Sequence, residues 1–430
     1  MRSVLSFRVL ASIGAALLAA AAVAPTTTQS QGGPAEARTG FTLTSNGHAE
    51  EFCANQAALT DSPNSPQIPA DECSFDTAVE EFTGPETLAD GLGPVFNAEG
   101  CGSCHLVPIL GGTSQIMEKR VGRFDGQTFF DPPGGSLLQD RAIPITLQEF
   151  SAANNNVSAL RGSISVLGDG FVEAIANGTL QNIANGQPAG MRGTLINVPV
   201  FERPGTTRVG RFGWKDQQAS LVSFSADAYV NEMGITSPLQ PDENTSNGVR
   251  VGANDTAPPG HPDDPNFPDN NGVDVELFAL LMRSTLAPPR GTINANVNAG
   301  STLFNQIGCA VCHTPTIDTA APGQLINGGA LRVSNALGNK RIHPFGDFLM
   351  HDIGTGDGIV QNGGQASRNR VRTAPLWGLR ARGRFMHDSL SFNLQDAIRR
   401  HTNQAEAASD AFNALSSTNR QRVLDFLLSL

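Results

Sequence analysis

Two copies of the pattern C-x-x-C-H carry the clearest chemistry in the sequence, one at 101–105 and one at 309–313. Two thiols at this spacing can add to both vinyl groups of one haem, and the adjacent histidine then reaches the iron as an axial ligand. A lone C-x-x-C could instead be half of a zinc site or a redox pair. Because both copies end in histidine, the sequence predicts two covalently bound haem c groups. The attachment residues would be Cys101, Cys104, His105, Cys309, Cys312 and His313.

The sixth ligand of each haem iron determines what that haem can do. An iron whose sixth position is filled by a side chain suits electron transfer, whereas an open position allows the iron to react with a substrate. No histidine lies between His105 and His261. The local sequence therefore leaves the first haem with an open position or with a methionine, for which Met117, Met191 and Met233 are the candidates. His401 would lie on the apolar face of a helix that Asn393 caps. Such a histidine is usually a packed core residue, but in a domain that must wrap a haem we expect it to be the sixth ligand of the second haem.

The sequence around the two motifs contains a faint internal repeat. The pattern F-N-x-x-G-C-x-x-C-H occurs at 96–105 and again at 304–313. A short amphipathic stretch precedes each copy, which favours two cytochrome-like domains of common origin. Thr418-Asn419-Arg420-Gln421 resembles a capping box at the start of a terminal helix. Strand signals are weak throughout. We predict a mainly α protein with two cytochrome c-like haem domains, long loops and a small disulfide-stapled N-terminal cap.

The predicted organisation begins with a signal peptide at 1–24, where Arg2 and Arg8 precede an apolar run at 9–23. A retained membrane anchor is the alternative, but the run is short and rich in alanine. An N-terminal extension would follow at 25–85, the first haem domain at 86–286 and the second at 287–430. We expect the mature chain to be periplasmic.

Export also bears on the two remaining cysteines, Cys53 and Cys73, because disulfides persist in oxidising compartments. We expect them to form a structural disulfide that closes a loop rich in Pro, Ser, Asp and Asn; two unpaired thiols are the alternative. A long polar segment at 238–273 has no hydrophobic period and is predicted to be a surface loop.

Composition excludes some classes of partner. The net charge is −11 and no basic stripe is present, so we expect no nucleic-acid partner. Beyond the N-terminus no segment has the length of a membrane span, so we do not expect an integral membrane protein. The acidic surface would favour a small basic cytochrome as the external electron donor.

Several blocks, in the same order along the chain, resemble the bacterial dihaem cytochrome c peroxidase superfamily, in particular its dihaem oxidoreductase branch. The resemblance covers roughly 89–430. Its blocks are 93–99, 210–215, 231–236, 303–308, 347–354, 372–379, 385–388 and 397–401.

This resemblance implies roles for individual residues. The first haem would react with peroxide and the second would supply or store an electron. Glu232 matches the distal acid–base residue, which moves a proton between the peroxide oxygens. Trp214 matches an indole between the haems that relays electrons. Without the resemblance, Glu232 would be interpreted as a surface or capping residue and Trp214 as a core aromatic.

Further implications concern the surroundings of the haems. The position of the second haem's sixth ligand in relatives falls on His401, and His351 and His387 would orient propionates or loops. Arginines are expected to pair with the propionates, and a Ca2+ ion is expected near Thr373 and Pro375. The arginines are Arg372, Arg380 and Arg384. Relatives that carry a releasable histidine over the first haem differ from this chain, which puts redox-gated activation in doubt.

The sequence thus favours an exported dihaem oxidoreductase that reduces hydrogen peroxide at the first haem with electrons relayed through the second. One alternative is a dihaem cytochrome that only transfers electrons, which needs both irons to be six-coordinate. Another is an oxidase or oxygenase that acts on an organic or protein substrate through high-valent iron. Substrate choice depends on pocket shape, which the sequence does not reveal.

Overall fold

The computed structural model describes residues 33–60, 66–251 and 272–430. The predicted signal peptide at 1–24 and most of the predicted surface loop at 238–273 lie outside these residues. Helices account for more of the described chain than strands, as predicted. The helices are α1 His48–Ala54, α2 Gln56–Leu59, α3 Phe75–Thr83, α4 Cys101–Cys104, α5 Asp169–Glu173, α6 Asn177–Gly186, α7 Leu221–Ala228, α8 Val273–Ser284, α9 Ala295–Gln306, α10 Leu394–Arg399, α11 Glu406–Ala414 and α12 Ser417–Leu427.

Short strands are more numerous than the weak strand signals predicted, because most are only two or three residues long and carry too little periodicity to detect. They are β1 Ala35–Glu36, β2 Val95–Phe96, β3 Met117–Phe124, β4 Phe129–Phe130, β5 Leu137–Leu138, β6 Arg141–Ala142, β7 Val157–Gly162, β8 Asn197–Pro199, β9 Thr207–Val209, β10 Thr245–Ser246, β11 Val249–Arg250, β12 Ile317–Asp318, β13 Leu325–Ile326, β14 Leu331–Arg332, β15 Lys340–Ile342, β16 Met350–His351 and β17 Val371–Arg372.

Helix α8 is the centre of the larger hydrophobic core, and all its residues except Asp274 are buried. Helices α1, α3, α5 and α7 pack around it. A helix that is apolar on most sides needs such a surround. This core contains residues from both predicted haem domains, among them Leu92 and Trp377. The predicted boundary at 286/287 therefore crosses a continuous core, and the domain limits stay predictions.

The N-terminal segment belongs to the same core. A disulfide joins Cys53 and Cys73, as predicted. Phe82 of helix α3 is buried against Phe278 of α8, with ring centroids 6.2 Å apart. The segment up to residue 85 thus supplies packing for the haem-motif region rather than only covering it.

A second core forms around the packed helices α9 and α12. Gly300 allows their close approach, because a Cβ at this position would collide with the Arg422 carbonyl. The predicted cap of the last helix was wrong by two residues, since Ser416, not Thr418, accepts the capping hydrogen bond, from the amide of Asn419. Ser416 satisfies the amide three residues ahead, which is the usual N-cap geometry.

A four-stranded sheet of β3, β4, β5 and β7 follows the first motif. Strand β3 pairs antiparallel with β7, in a register that places Glu118 opposite Arg161 and Met117 opposite Gly162. Side chains two residues apart on a strand share one face, so Glu118 and Arg120 point the same way. Among the residues that the structure describes, no helix combines the length and apolar character needed to span a membrane.

Candidate functional site

Each of the C-x-x-C-H motifs lies in the wall of a large cavity. The first encloses about 1370 Å³ of atom-free space, its open mouth included, and contacts Cys101, Cys104 and His105. The second encloses about 1240 Å³ and contacts Cys309, Cys312 and His313. In each motif the two cysteines stand on a single helical turn, and all four thiols are free of disulfides.

The motif histidines are oriented as metal ligands usually are. Nδ1 of His105 donates to the Gly112 carbonyl at 3.2 Å, and Nδ1 of His313 donates to the Phe345 carbonyl at 3.1 Å. A ligating histidine commonly donates its other ring N–H to a carbonyl, which fixes the tautomer. Nε2 is then the nitrogen that can bind a metal in both rings.

His401 completes the second cavity, but it lies two residues beyond the last residue of helix α10, Arg399, and not on the helix as predicted. Asn393 caps helix α10 as predicted, accepting from the amide of Asp396. Nδ1 of His401 donates to the Ala397 carbonyl at 2.8 Å. Its ring centroid lies 6.4 Å from that of His313. A metal–imidazole bond is about 2.0 Å, so two imidazoles on opposite sides of one metal place their centroids roughly 6 Å apart. The pair therefore fits a bis-histidine haem.

The first cavity is built differently. His105 is the one histidine among the described residues that line it, and carboxylates and arginines face it instead. Three methionines line the same space. They are Met117, Met233 and Met282. Met191, the remaining candidate from the stretch between the motifs, lines the second cavity.

Glu232 lies in the wall of the first cavity, on a π-helical turn, Tyr229–Met233, that continues helix α7. Such turns occur often at functional sites. The Asn97 amide donates to Oε2 of Glu232 at 2.7 Å. The Glu232 carbonyl accepts from the amides of Asn97 and Ala98. The segment that leads into the first motif therefore fixes this carboxyl group in place.

The surroundings of Glu232 raise the pKa of its carboxyl group. Burial, and next the charge of Glu118, raise its pKa to about 7, although the Asn97 bond and Arg120 oppose the shift. Glu118 itself stays ionised: burial would raise its pKa, but Arg120 and Arg161 lower it. Arg120 Nε lies 2.8 Å from Glu118 Oε1.

A buried ion network continues from this wall into the second half of the chain. Arg161 Nη2 lies 2.6 Å from Asp357 Oδ2, and Lys215 Nζ lies 2.9 Å from Asp357 Oδ1. Although burial would raise the pKa of Asp357, Arg161 and Lys215 hold it below the ordinary value. Paired charges in a dry interior fix geometry firmly, so this network holds the region around Trp214.

Trp214 lines both cavities, as does Arg372. The Trp214 indole N–H donates to the Gly162 carbonyl at 2.8 Å, and the Trp214 carbonyl accepts from the Arg372 amide at 2.8 Å. The His387 ring meets the indole edge to face, with centroids 6.0 Å apart. The indole is thus held between the two cavities.

The arginines expected near the propionates divide into two groups. Arg372 lines both cavities, but Arg380 lies over Phe41 and Arg384 over Phe392, and neither lines a cavity. Arg382, which sequence reasoning missed, lines the second cavity, and its Nη2 is buried without a hydrogen-bond partner. No spacing rule distinguishes it from its two neighbours.

The other predicted positions are placed as follows. His387 lines the second cavity, whereas His351 is fully buried, with Nδ1 3.6 Å from Cys312 Sγ and Nε2 2.9 Å from Asp347 Oδ2. Thr373 and Pro375 line the second cavity, and the Ca2+ ion expected near them stays a prediction. Asn97 was also missed, although its place in the repeated F-N pattern was a usable signal.

The donor set fits haem. Both cavities combine two free thiols with a histidine whose tautomer is fixed, and the second adds an opposed histidine and unpaired guanidinium N–H groups. These are the groups that a covalent haem with two carboxylates needs.

Comparison with solved structures finds distant likenesses. Hydrazine synthase from Kuenenia stuttgartiensis shares 14% identity at a TM-score of 0.39, covering 96% of this chain and 100% of its own. A variant of the diheme peroxidase BthA from Burkholderia thailandensis shares 14% at 0.36, covering 93% and 90%. A MauG-like protein associated with microbial copper homeostasis shares 13% at 0.25, covering 37% and 53%. At such identities and scores these likenesses say nothing about function.

No curated protein matches the chain. The family model described as "Di-haem oxidoreductase, putative peroxidase" matches residues 151–430, more than half of the chain. The matched range includes Trp214, Glu232 and the second motif, and it begins after the first motif. The chain therefore belongs to the di-haem oxidoreductase family, whose description implies haem as cofactor and oxidoreduction as chemistry.

Proposed function

We propose that the protein is an exported, periplasmic peroxidase with two covalent haem c groups. Hydrogen peroxide would be reduced in the first cavity, and electrons from an external donor would enter by way of the second. The observation that carries this proposal is the asymmetry of the two cavities. The second presents two opposed histidines, His313 and His401, whereas the first presents one histidine and the half-buried carboxyl group of Glu232.

Haem supplies one-electron redox chemistry and, where a coordination position is open, a site for peroxide. Peroxide reduction to two waters consumes two electrons and two protons. Glu232 would take a proton from one oxygen of the peroxide and return it to the other oxygen as the O–O bond breaks. The Asn97 amide holds the carboxyl group in position for both transfers.

Trp214 would carry electrons between the cavities. Its side chain contacts both, and the Gly162 carbonyl and Arg372 amide fix its orientation. An aromatic ring that is fixed between two redox sites divides one long electron transfer into two shorter ones. His387, in edge-to-face contact with the indole, would add a polarisable neighbour on the side of the second cavity.

The test is peroxide-dependent oxidation of a reduced donor by the purified dihaem protein, followed by stopped-flow absorbance. We expect turnover that stops when peroxide is exhausted. An electron carrier is the second candidate, because the three methionines that line the first cavity could complete the first iron. Absence of turnover from both the oxidised and the half-reduced protein would support that candidate and contradict the peroxidase proposal.

Replacing His401 with alanine should convert the second haem from low spin to high spin, because His401 would be one of the two histidines that hold its iron. Electron paramagnetic resonance of the oxidised protein measures this directly. His343→Ala is the matched control, since His343 is exposed and bound to Glu36. A low-spin second haem in the His401 variant would show that another group is the ligand.

Replacing Arg382 with glutamine should lower the reduction potential of the second haem. Burial, and next the neighbouring Arg372, lower the pKa of Arg382 to about 10, which shows how poorly its charge is compensated by the protein. A haem carboxylate would provide the missing anion. A tenfold change in the one-electron equilibrium is about 59 mV, and we expect a decrease of that order in a spectroelectrochemical titration. Arg380→Gln, at an exposed position, should leave the potential unchanged.

A further inference from the structure

The charge of the chain is distributed very unevenly. Residues 368–400 contain eight arginines and two aspartates, a net charge of +6, although the whole chain carries −11. This stretch contributes much of the wall of the second cavity. The region around the proposed point of electron entry is therefore basic in an otherwise acidic protein.

Two large apolar side chains are exposed in the same stretch. Phe392 is 65% exposed and Leu390 is 55% exposed. They lie on a turn closed by the Phe385 amide, which donates to the Ser391 carbonyl at 2.9 Å. Phe385 and Leu394, on either side of this turn, line the second cavity. The exposed pair thus lies directly outside that cavity.

Arginine side chains lie beside Leu390 and Phe392. The Arg384 guanidinium lies 4.9 Å from the centre of the Phe392 ring. Within the described part of the chain, no acidic group forms an ion pair with Arg384. Asp388, four residues further along the chain, is paired with Arg400 instead. Arg399 is exposed in the last turn of helix α10. Exposed aromatic and arginine side chains together are typical of the energetic centres of protein interfaces.

We infer that the surface formed by Arg384, Leu390, Phe392 and Arg399 docks the external electron donor, and that this donor is a redox protein with an acidic rim around an apolar centre. The inference rests on the proposed function only for the entry of electrons at the second cavity. It reverses the expectation from net charge, because docking depends on the local field near the contact and salt screens distant charges within about 10 Å.

The experiment uses one redox protein in two charge states, mitochondrial cytochrome c and its succinylated form, whose lysines have become carboxylates. The dihaem protein is reduced, mixed anaerobically with either oxidised form in a stopped-flow instrument, and cytochrome reduction is recorded without peroxide. Electrons run in this direction because a bis-histidine haem has the lower potential. The docking surface is the same in both directions.

We expect the succinylated form to react roughly tenfold or more faster than the native form at low salt, and this advantage to shrink as salt is added. Arg384→Glu and Phe392→Ala should each slow that reaction severalfold or more. Arg332→Glu and Phe150→Ala, exposed positions outside the 368–400 stretch, should not. Oxidation by neutral p-benzoquinone should be unchanged in all four variants.

A faster reaction with native cytochrome c, or an unchanged rate in Arg384→Glu, would overturn the inference. So would a dimer in analytical ultracentrifugation that Arg384→Glu dissociates, because the surface would then bind a second copy of this chain. The outcome is independent of peroxide chemistry: loss of peroxide turnover with the rate pattern intact would contradict the proposed function and leave the docking surface standing.

Discussion

Replacing Glu232 with glutamine should lower kcat/KM for hydrogen peroxide by about 10²–10⁴-fold, the usual contribution of a positioned acid–base group. Glutamine keeps the size of the side chain and can accept the hydrogen bond from Asn97, but it cannot take up and return a proton. Both haems should remain attached. Initial rates over a range of peroxide concentrations, with the haem content determined for each sample, measure the change.

Glu99→Gln is the control, because Glu99 lies in the same segment as Asn97 and is an exposed carboxylate paired with Arg141. It should react with peroxide as the unmodified protein does. If both variants retain full activity, Glu232 is not the acid–base group; if both lose it equally, the segment rather than the carboxyl group is responsible.

The pH profile gives a second readout of the same residue. To accept a proton from peroxide, Glu232 must be ionised, and its pKa is raised to about 7. The rate should therefore fall as the pH decreases through about 7, and this decline should be absent from the residual activity of Glu232→Gln. Glu118, Arg120 and Asp227 also act on this pKa, so Glu118→Gln should move the decline to lower pH by removing a negative neighbour.

Disabling one haem motif at a time should remove half of the covalent haem and separate the two functions. The double variant Cys101→Ser/Cys104→Ser should keep the low-spin second haem and lose all reaction with peroxide. The double variant Cys309→Ser/Cys312→Ser should keep a high-spin haem that still reacts with peroxide, and it should lose turnover with a protein donor. Haem staining after denaturing electrophoresis and intact mass measure the attachment.

These two variants control for each other, because both remove one thiol pair and leave the rest of the chain unchanged. A peroxide reaction that survives in the Cys101→Ser/Cys104→Ser variant and disappears in the other would reverse the assignment of roles. Two haems retained in either variant would show that the motif is not the attachment site.

The parts of the site that were predictable from sequence depend on local chemistry. The C-x-x-C-H motifs place two thiols on one helical turn with the histidine directly after them, and Asn393 caps a short helix that ends two residues before His401. Such relationships span only a few residues. Glu232 and Trp214 had no local signal of this kind, and only the family resemblance pointed to them.

The remainder depends on contacts between distant segments. Asn97 reaches Glu232 across 135 residues, and Arg161 reaches Asp357 across 196. Residue type and spacing do not distinguish Arg382 from Arg380 and Arg384. Only the position of its side chain in the wall of the second cavity does. Net charge likewise gave no sign of the basic stretch at 368–400, because it is averaged over the whole chain.

The most direct test of the account is the optical and electron paramagnetic resonance spectrum of the oxidised protein, before and after one equivalent of hydrogen peroxide. We expect one low-spin and one high-spin haem, with the high-spin signal lost on addition of peroxide. Two low-spin haems that peroxide leaves unchanged, in both the oxidised and the half-reduced protein, would contradict it.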